Sequence, residues 1–217
     1  MIYKNIAKAE LIEVAQKLCS IEELNSFRIV GGTAIALQIG HRDSIDIDFF
    51  SNEKVGKNII VQALKKHFEG IELSVSPYNV KAFIHGVRVE IFDGWGEKYR
   101  YPEVTEEGLR LAALQDIAAM KLTAFTERRQ KKDYIDIYFL FKKFGSITLL
   151  KDYKNYNPSL SNKSLLFALD EVRTAETNSS EMPNMFTPFS WPEIVNEMNQ
   201  AAREFEAQIN QRKSRLS

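Results

Sequence analysis

The apolar positions change period several times along the first half of the chain. Leu11, Val14, Ala15 and Leu18 recur at helical spacing, which predicts an amphipathic helix over 6–19. Residues 27–30 read as a short buried strand, Gly31-Gly32-Thr33 as a turn and 34–39 as a helix. Over 45–50 the period becomes two: Ile45, Ile47 and Phe49 are expected to bury on one face, while Asp46 and Asp48 point together from the other. Ser51 is placed to cap a further helix, whose apolar positions are Ile59, Ile60, Ala63, Leu64 and Phe68. A strand over 71–75 ends at Pro77, and runs at 80–84 and 87–92 flank His85-Gly86, the composition of a tight hairpin turn.

From about residue 109 the pattern reads as helical throughout, with helices predicted over 114–127, 131–144, 147–154, 163–176 and 191–212. The last opens on Ser190-Trp191-Pro192-Glu193, a capping box with proline in the first turn. Residues 177–189 lack periodicity and predict a loop, and the tail at 212–215 reads as frayed and solvated. Strands that alternate with helices early and pair as a hairpin late imply an α+β fold. The expected organisation is a mixed-sheet core with packed helices over 1–108, then a helical domain over 109–217.

Composition narrows this only a little. The 217 residues, 44% hydrophobic, suffice for one or two proper cores. Lys and Arg (29) balance Asp and Glu (29), which argues against a generally basic nucleic-acid binder but leaves local patches open. One such patch is predicted where Lys121, Arg128, Arg129, Lys131, Lys132, Lys142 and Lys143 outnumber Glu127, Asp133 and Asp136. The first residues carry charges every few positions and no long apolar block, so no secretory signal or membrane span is expected, and the cytoplasm is the expected location. The single cysteine, Cys19, excludes an internal disulfide and a cysteine-based zinc cluster, and is expected to pack within the first helix.

The chemistry concentrates around the acidic strand. Two like charges two residues apart on one face repel unless a cation neutralises them, and hard carboxylate oxygens suit Mg2+ or Mn2+. A two-metal site needs a third carboxylate. Glu90, inside an apolar strand, and Asp93, at the strand end before a glycine, are the two candidates. Gly31 and Gly32, following a strand and entering a helix, allow close backbone approach to phosphate oxygens. His41 and Arg42 could contact phosphate or sit in a solvated loop, and His67 and His85 read as structural. Asp133 and Asp136 share a helix face, with Lys132 near enough for a surface ion pair with Asp136; on their own these form an ordinary charged stripe. Lys121, among Ala118, Ala119, Leu122 and Ala124, needs a phosphate or carboxylate partner.

Three blocks together resemble the AbiEii/AbiGii-type nucleotidyltransferase toxins of the polymerase-beta-like nucleotidyltransferase superfamily. They are Gly31-Gly32-Thr33-Ala34 through His41-Arg42 to Asp46-Ile47-Asp48-Phe49-Phe50, then Val87-Arg88-Val89-Glu90, then Leu109 through Asp116 and Lys121 to Lys132-Asp133-Tyr134-Ile135-Asp136. The resemblance implies a nucleotidyltransferase sheet-and-helix core and a C-terminal helical region. It implies that Asp46, Asp48 and Glu90 bind the metals, that Gly31 and Gly32 approach the phosphates, and that Lys121, Asp133 and Asp136 complete the site. The substrate would be an NTP, with Lys121 and Arg128, Arg129 or Lys132 holding its outer phosphates and a tRNA 3′ end as the favoured acceptor. A cognate antitoxin protein is the implied partner, and no membrane is involved. Two departures from the superfamily pattern stand out. Glycine occupies position 32 where many members have serine, leaving Thr33 as the nearby hydroxyl, and glutamate occupies position 90 where many have aspartate.

Overall fold

The computed structural model describes residues 2–94, 99–156, 158–159 and 161–214, with side chains to 211. The chain divides into two compact units, Met1–Ile117 and Ala118–Ser217.

The first unit is built on a seven-stranded mixed sheet in the order β3-β4-β5-β2-β1-β7-β6. Its strands are β1 (Arg28–Val30), β2 (Asp46–Phe50), β3 (Glu72–Val75), β4 (Val80–Ile84), β5 (Val87–Phe92), β6 (Val104–Glu106) and β7 (Leu109–Leu111). Helices α1 (Ala9–Ser20), α2 (Gly31–Ile39) and α3 (Lys57–His67) accompany them, α1 packing against β2, β5 and β7 and α3 against β4. Ile47 and Phe49 of β2 and Val89 and Ile91 of β5 are fully buried, and Phe49 stacks on Phe27 at 5.4 Å between centroids. The side chains between them, Asp46, Asp48 and Glu90, are half-buried on the other face.

Several elements differ from the sequence reading, each for a local reason. Ile45 precedes β2 instead of beginning it, so it escapes the strand's alternation and is exposed. The helix entered by the glycine pair begins at Gly31 itself. Ser51 does not cap α3, which starts after Gly56; its hydroxyl bonds Ser26 and lies in a turn with Glu53. Residues 109–111 form a strand, although the region reads as helical. β7 runs parallel to β1, with Ile29 opposite Leu111, and three residues are too few for a period to register. Arg110 anchors this strand, donating to the carbonyls of Phe27 (2.6 Å), Leu24 (2.8 Å) and Cys19 (3.0 Å). Cys19 is buried in α1 as expected and accepts from the Arg110 amide. The hairpin turn holds, with His85 and Gly86 both at positive φ between the paired ends Ile84 and Val87.

The second unit is helical: α5 (Lys131–Phe144), α6 (Ser146–Tyr156), α7 (Asn162–Asp170), α8 (Val172–Thr177) and α9 (Trp191–Ser214). The unit division falls inside α4 (Leu114–Glu127). The helix read over 163–176 is broken at Glu171 into α7 and α8. Tyr134 sits at the centre, fully buried, donating its hydroxyl to the carbonyl of Ala168 at 2.7 Å and meeting Phe125 edge-on. At the start of α9 the Glu193 carboxylate accepts from the Ser190 amide (2.8 Å) and hydroxyl (2.9 Å), which fixes the predicted boundary. The tail reading at 212–215 lies outside the described side chains.

Replacing Arg110 with Met removes the donor to three carbonyls. The expected loss is about 2–4 kcal/mol of stability, because each unpaired buried acceptor retains its desolvation cost. A lower urea midpoint with an unchanged denaturant slope checks it.

Candidate active site

The acidic face is created by strand register. β2 lies between β1 and β5, antiparallel to the first and parallel to the second. Directly opposed residues project on the same side of a sheet, so the pairing of Asp48 with Glu90 and of Asp46 with Arg88 gathers these four side chains on one face. The hairpin extends both rows, bringing Lys81 opposite Glu90 and Phe83 opposite Arg88.

Each outer carboxylate is met by an exposed cation. The Arg88 guanidinium bonds Asp46 at 2.8 Å, and Lys81 lies 3.4 Å from Glu90, whose other oxygen accepts from the Asn79 amide at 3.1 Å. The Arg88 pKa is raised first by its hydrogen bond to Asp46, then by the charges of Asp46, Glu90 and Asp48, so three carboxylates act on one cation. Arg88 and Lys81 went unassigned in the sequence, although Lys81-x-Phe83 and Arg88-x-Glu90, in phase on either side of a hairpin turn, place them on this face.

Asp48 is packed against Gly31. A Cβ at position 31 would stand 2.1 Å from Asp48 Oδ2, and Gly31 holds φ +66°, a conformation that L residues rarely adopt. Glycine is thus required there twice over. Gly32 is half-buried in the first turn of α2. Thr33 is buried, its hydroxyl engaged with Ser44 Oγ at 2.6 Å and with the Asp46 carbonyl, so it ties α2 to the start of β2. His41 and Arg42 are both buried, which excludes the solvated-loop reading. Arg42 donates to the carbonyl of Asp43 at 2.7 Å, and such local partners let charged side chains bury in a connecting segment. Asp93 accepts from the amides of Val55 (2.6 Å) and Gly56 (3.1 Å), bracing the chain before α3. Asp116, fully buried, accepts from the amides of Arg100 (3.0 Å) and Tyr101 (3.2 Å), and burial raises its carboxyl pKa. Tyr99 donates to the Phe50 carbonyl at 2.9 Å with the Arg28 guanidinium 4.2 Å above its ring, and burial pushes its phenol upward.

The second unit holds its own charged cluster. Lys121 is 5% exposed, and its ammonium lies 2.9 Å from Asp133 and 2.7 Å from Asp136, both carboxylates being fully buried. The reading of Asp133 and Asp136 as an exposed stripe, with a surface pair between Lys132 and Asp136, is thereby corrected: the lysine on α4 draws both acids inward. Asp133 also accepts from the Gln130 amide at 3.2 Å in a reciprocal capping box that starts α5. Arg128 Nε stands 3.6 Å from Asp133 and its side chain is largely exposed. Arg129 lies over the Phe167 ring at 5.3 Å, and Lys132 is half-buried in the first turn of α5.

A mixed sheet that carries two aspartates on one strand, a glutamate in register on the next and a glycine-entered helix against them defines a nucleotidyltransferase fold. Comparison with known proteins agrees. Residues 16–211 match the family described as nucleotidyl transferase AbiEii toxin, type IV toxin–antitoxin system, and the chain belongs to that family. The uncharacterized protein aq_aa25 of Aquifex aeolicus (strain VF5) is 30% identical over 177 residues, covering 75% of this chain and 84% of its own. JHP933 from Helicobacter pylori has a similar fold, with a TM-score of 0.56, 15% identity and coverage of 100% and 98%. So does MenT4, a nucleotidyltransferase toxin from Mycobacterium tuberculosis H37Rv, at 0.51, 13% identity and coverage of 92% and 93%. ANT(2")-Ia, solved in complex with adenylyl-2"-tobramycin, scores 0.55 at 14% identity and covers 70% of this chain and 98% of its own. The protein is therefore an NTP-using nucleotidyltransferase of a toxin family, and membership implies an antitoxin partner. No helix among the described residues is long and apolar enough to cross a membrane.

Two substitutions test this geometry. Lys121→Met strands two buried carboxylates and is expected to lower stability by about 3–5 kcal/mol, far beyond the loss of a surface pair. Neutralising both acids in the same chain (K121M/D133N/D136N) should restore much of it, as read by urea denaturation. Gly31→Ala should displace Asp48 and cost about 1–3 kcal/mol from backbone strain alone, measurable as a fall in Tm.

Proposed function

We propose that Asp46, Asp48 and Glu90 form the catalytic centre of a nucleotidyl transfer in which a hydroxyl attacks the α-phosphorus of an NTP. The new bond joins that oxygen to the α-phosphorus, the bond to the bridging oxygen breaks, and pyrophosphate leaves. The observation that carries this is the register of Asp48 beside Glu90 on one sheet face, with Asp46 in the adjacent row.

The donor set suits a divalent cation, Mg2+ or Mn2+. The oxygens are hard, and the three carboxylates already act together on the one guanidinium of Arg88. Among the described residues no three ligating side chains stand converged as a metal cluster; Asp46 and Glu90 are turned to Arg88 and Lys81, whose largely exposed side chains a more concentrated positive charge can replace. Asp46, Asp48 and Glu90 would hold the ion, which when bound polarises the phosphoryl oxygens and lowers the pKa of the attacking hydroxyl.

The chain's own groups supply the rest. Backbone amides of Gly31 and Gly32, at the positive end of α2, favour the phosphate chain beside Asp48. The Thr33 hydroxyl, already engaged, acts by fixing β2 against α2. Glu90 accepts the proton of the attacking hydroxyl. It is preferred to Asp93, whose two oxygens brace the amides of Val55 and Gly56. Lys121, enclosed with Asp133 and Asp136, acts in this reading by fixing the start of α5. A tRNA 3′ end is the favoured acceptor, and the protein works in the cytoplasm beside its antitoxin.

The test incubates the protein, Mg2+ and each α-labelled NTP with RNA and with lysate protein, beside Asp46→Asn and Asp48→Asn. Label is expected in RNA with the wild type and at least about a hundredfold less with either variant, both variants remaining folded. Label in protein alone would reassign the acceptor. Absence of label everywhere, with no stabilisation by Mg2+ and any NTP, favours a binding module that engages the antitoxin.

A further inference from the structure

The acidic face carries one large apolar side chain in the open. Phe83, on β4, is 49% exposed. It lies in the row Phe83, Arg88, Asp46, directly opposite Arg88, while Lys81 two residues earlier lies in the row Lys81, Glu90, Asp48. Arg88 and Lys81 are 59% and 52% exposed. An aromatic ring flanked by two accessible cations is the composition of a single-stranded nucleic-acid platform, in which a base stacks on the ring and the backbone meets the charges. Phe83 plays no part in the core, since the alternate residues Val80, Ala82 and Ile84 face the other way and are buried.

Its position relative to the phosphates gives the ring a role. In an in-line displacement the attacking oxygen and the departing pyrophosphate lie on opposite sides of the reacting phosphorus. Gly31 follows β1, on one flank of β2, and touches Asp48 there. With the triphosphate on that flank, the nucleophile must arrive from the opposite one, across β5 and β4. Phe83 stands two strands from Asp46 on that side, about 10 Å away at ordinary strand spacing. Glu90, where the attacking hydroxyl is placed, is nearer: it is the diagonal neighbour of Phe83 across β4 and β5, about 7–8 Å away, so a terminal ribose there can lay its base on the ring.

The geometry points to Phe83, with Arg88 and Lys81, as the platform for the 3′-terminal unpaired nucleotide of an RNA acceptor. This rests on the nucleotidyl-transfer reading for its orientation and deepens it by naming the side chains that hold the acceptor's 3′ end. The ring recognises any base by its face, so it selects for an unpaired end and not for a sequence.

Binding is measured without turnover, by fluorescence anisotropy of a labelled single-stranded RNA 12-mer in EDTA without NTP. Phe83→Leu is expected to raise Kd roughly 5- to 100-fold and Phe83→Trp to retain wild-type affinity. A 12-mer with an abasic 3′ nucleotide should bind the wild type as weakly as Phe83→Leu binds the intact RNA, with no further loss when both changes are combined. Unchanged affinity in a folded Phe83→Leu, full additivity with the abasic end, or no RNA binding by the wild type would overturn the proposal. So would a loss in Phe83→Leu confined to the NTP-induced Tm shift, which would assign the ring to the donor base. Because no transfer occurs in this assay, failure of the catalytic reading and failure of the platform are read separately: the first in label transfer by wild type against Asp46→Asn, the second in Kd.

Discussion

Everything on the acidic face depends on the in-register parallel pairing of β2 with β5. Opposed side chains of paired strands point the same way, so fixing Asp48 opposite Glu90 also fixes Asp46 opposite Arg88. A slip of one residue would turn these charges into the core and expose Ile47, Phe49, Val89 and Ile91. Burial of those four residues therefore sets the register, and the register sets the site. The hydrophobic face specifies the chemistry of the polar one.

Like charges held close are then managed in two different ways. On the sheet, the carboxylates of Asp46 and Glu90 are balanced by exposed cations that can move aside, which keeps the face open to a ligand of higher charge. In the helical unit, Lys121 is enclosed with Asp133 and Asp136, where a partner cannot be exchanged for water without a large desolvation cost. The first arrangement suits binding. The second fixes the start of α5, because Asp133 joins the capping box with Gln130 as well as the ion pair.

Glycine serves the acidic strand through contact, not through flexibility. Gly31 takes a positive φ and leaves room for Asp48 Oδ2, while Thr33, two residues later in the same helix, holds the Asp46 carbonyl. The helix and strand are thus locked on both sides of the aspartate pair. Two repelling acids on one strand need such a brace, since neither is fixed by hydrophobic packing of its own.

Much of this was legible without coordinates. The alternation through β2, the hairpin about His85-Gly86 and the start of α9 follow from periods and turn chemistry acting over a few residues, and the spacing of the three sequence blocks matched the family to which the chain belongs. Other features needed the tertiary structure because their causes are distant in sequence. β7 is a strand because β1 lies beside it and Arg110 reaches three carbonyls around 19–27. Asp133 and Asp136 bury because Lys121, a dozen or more residues earlier, meets them. The sequence by itself determined the elements and the acidic pair, through local backbone sterics and burial. The tertiary structure decided which cations meet which acids and which side of the acids is open, since those depend on the order and register of strands that no local pattern encodes.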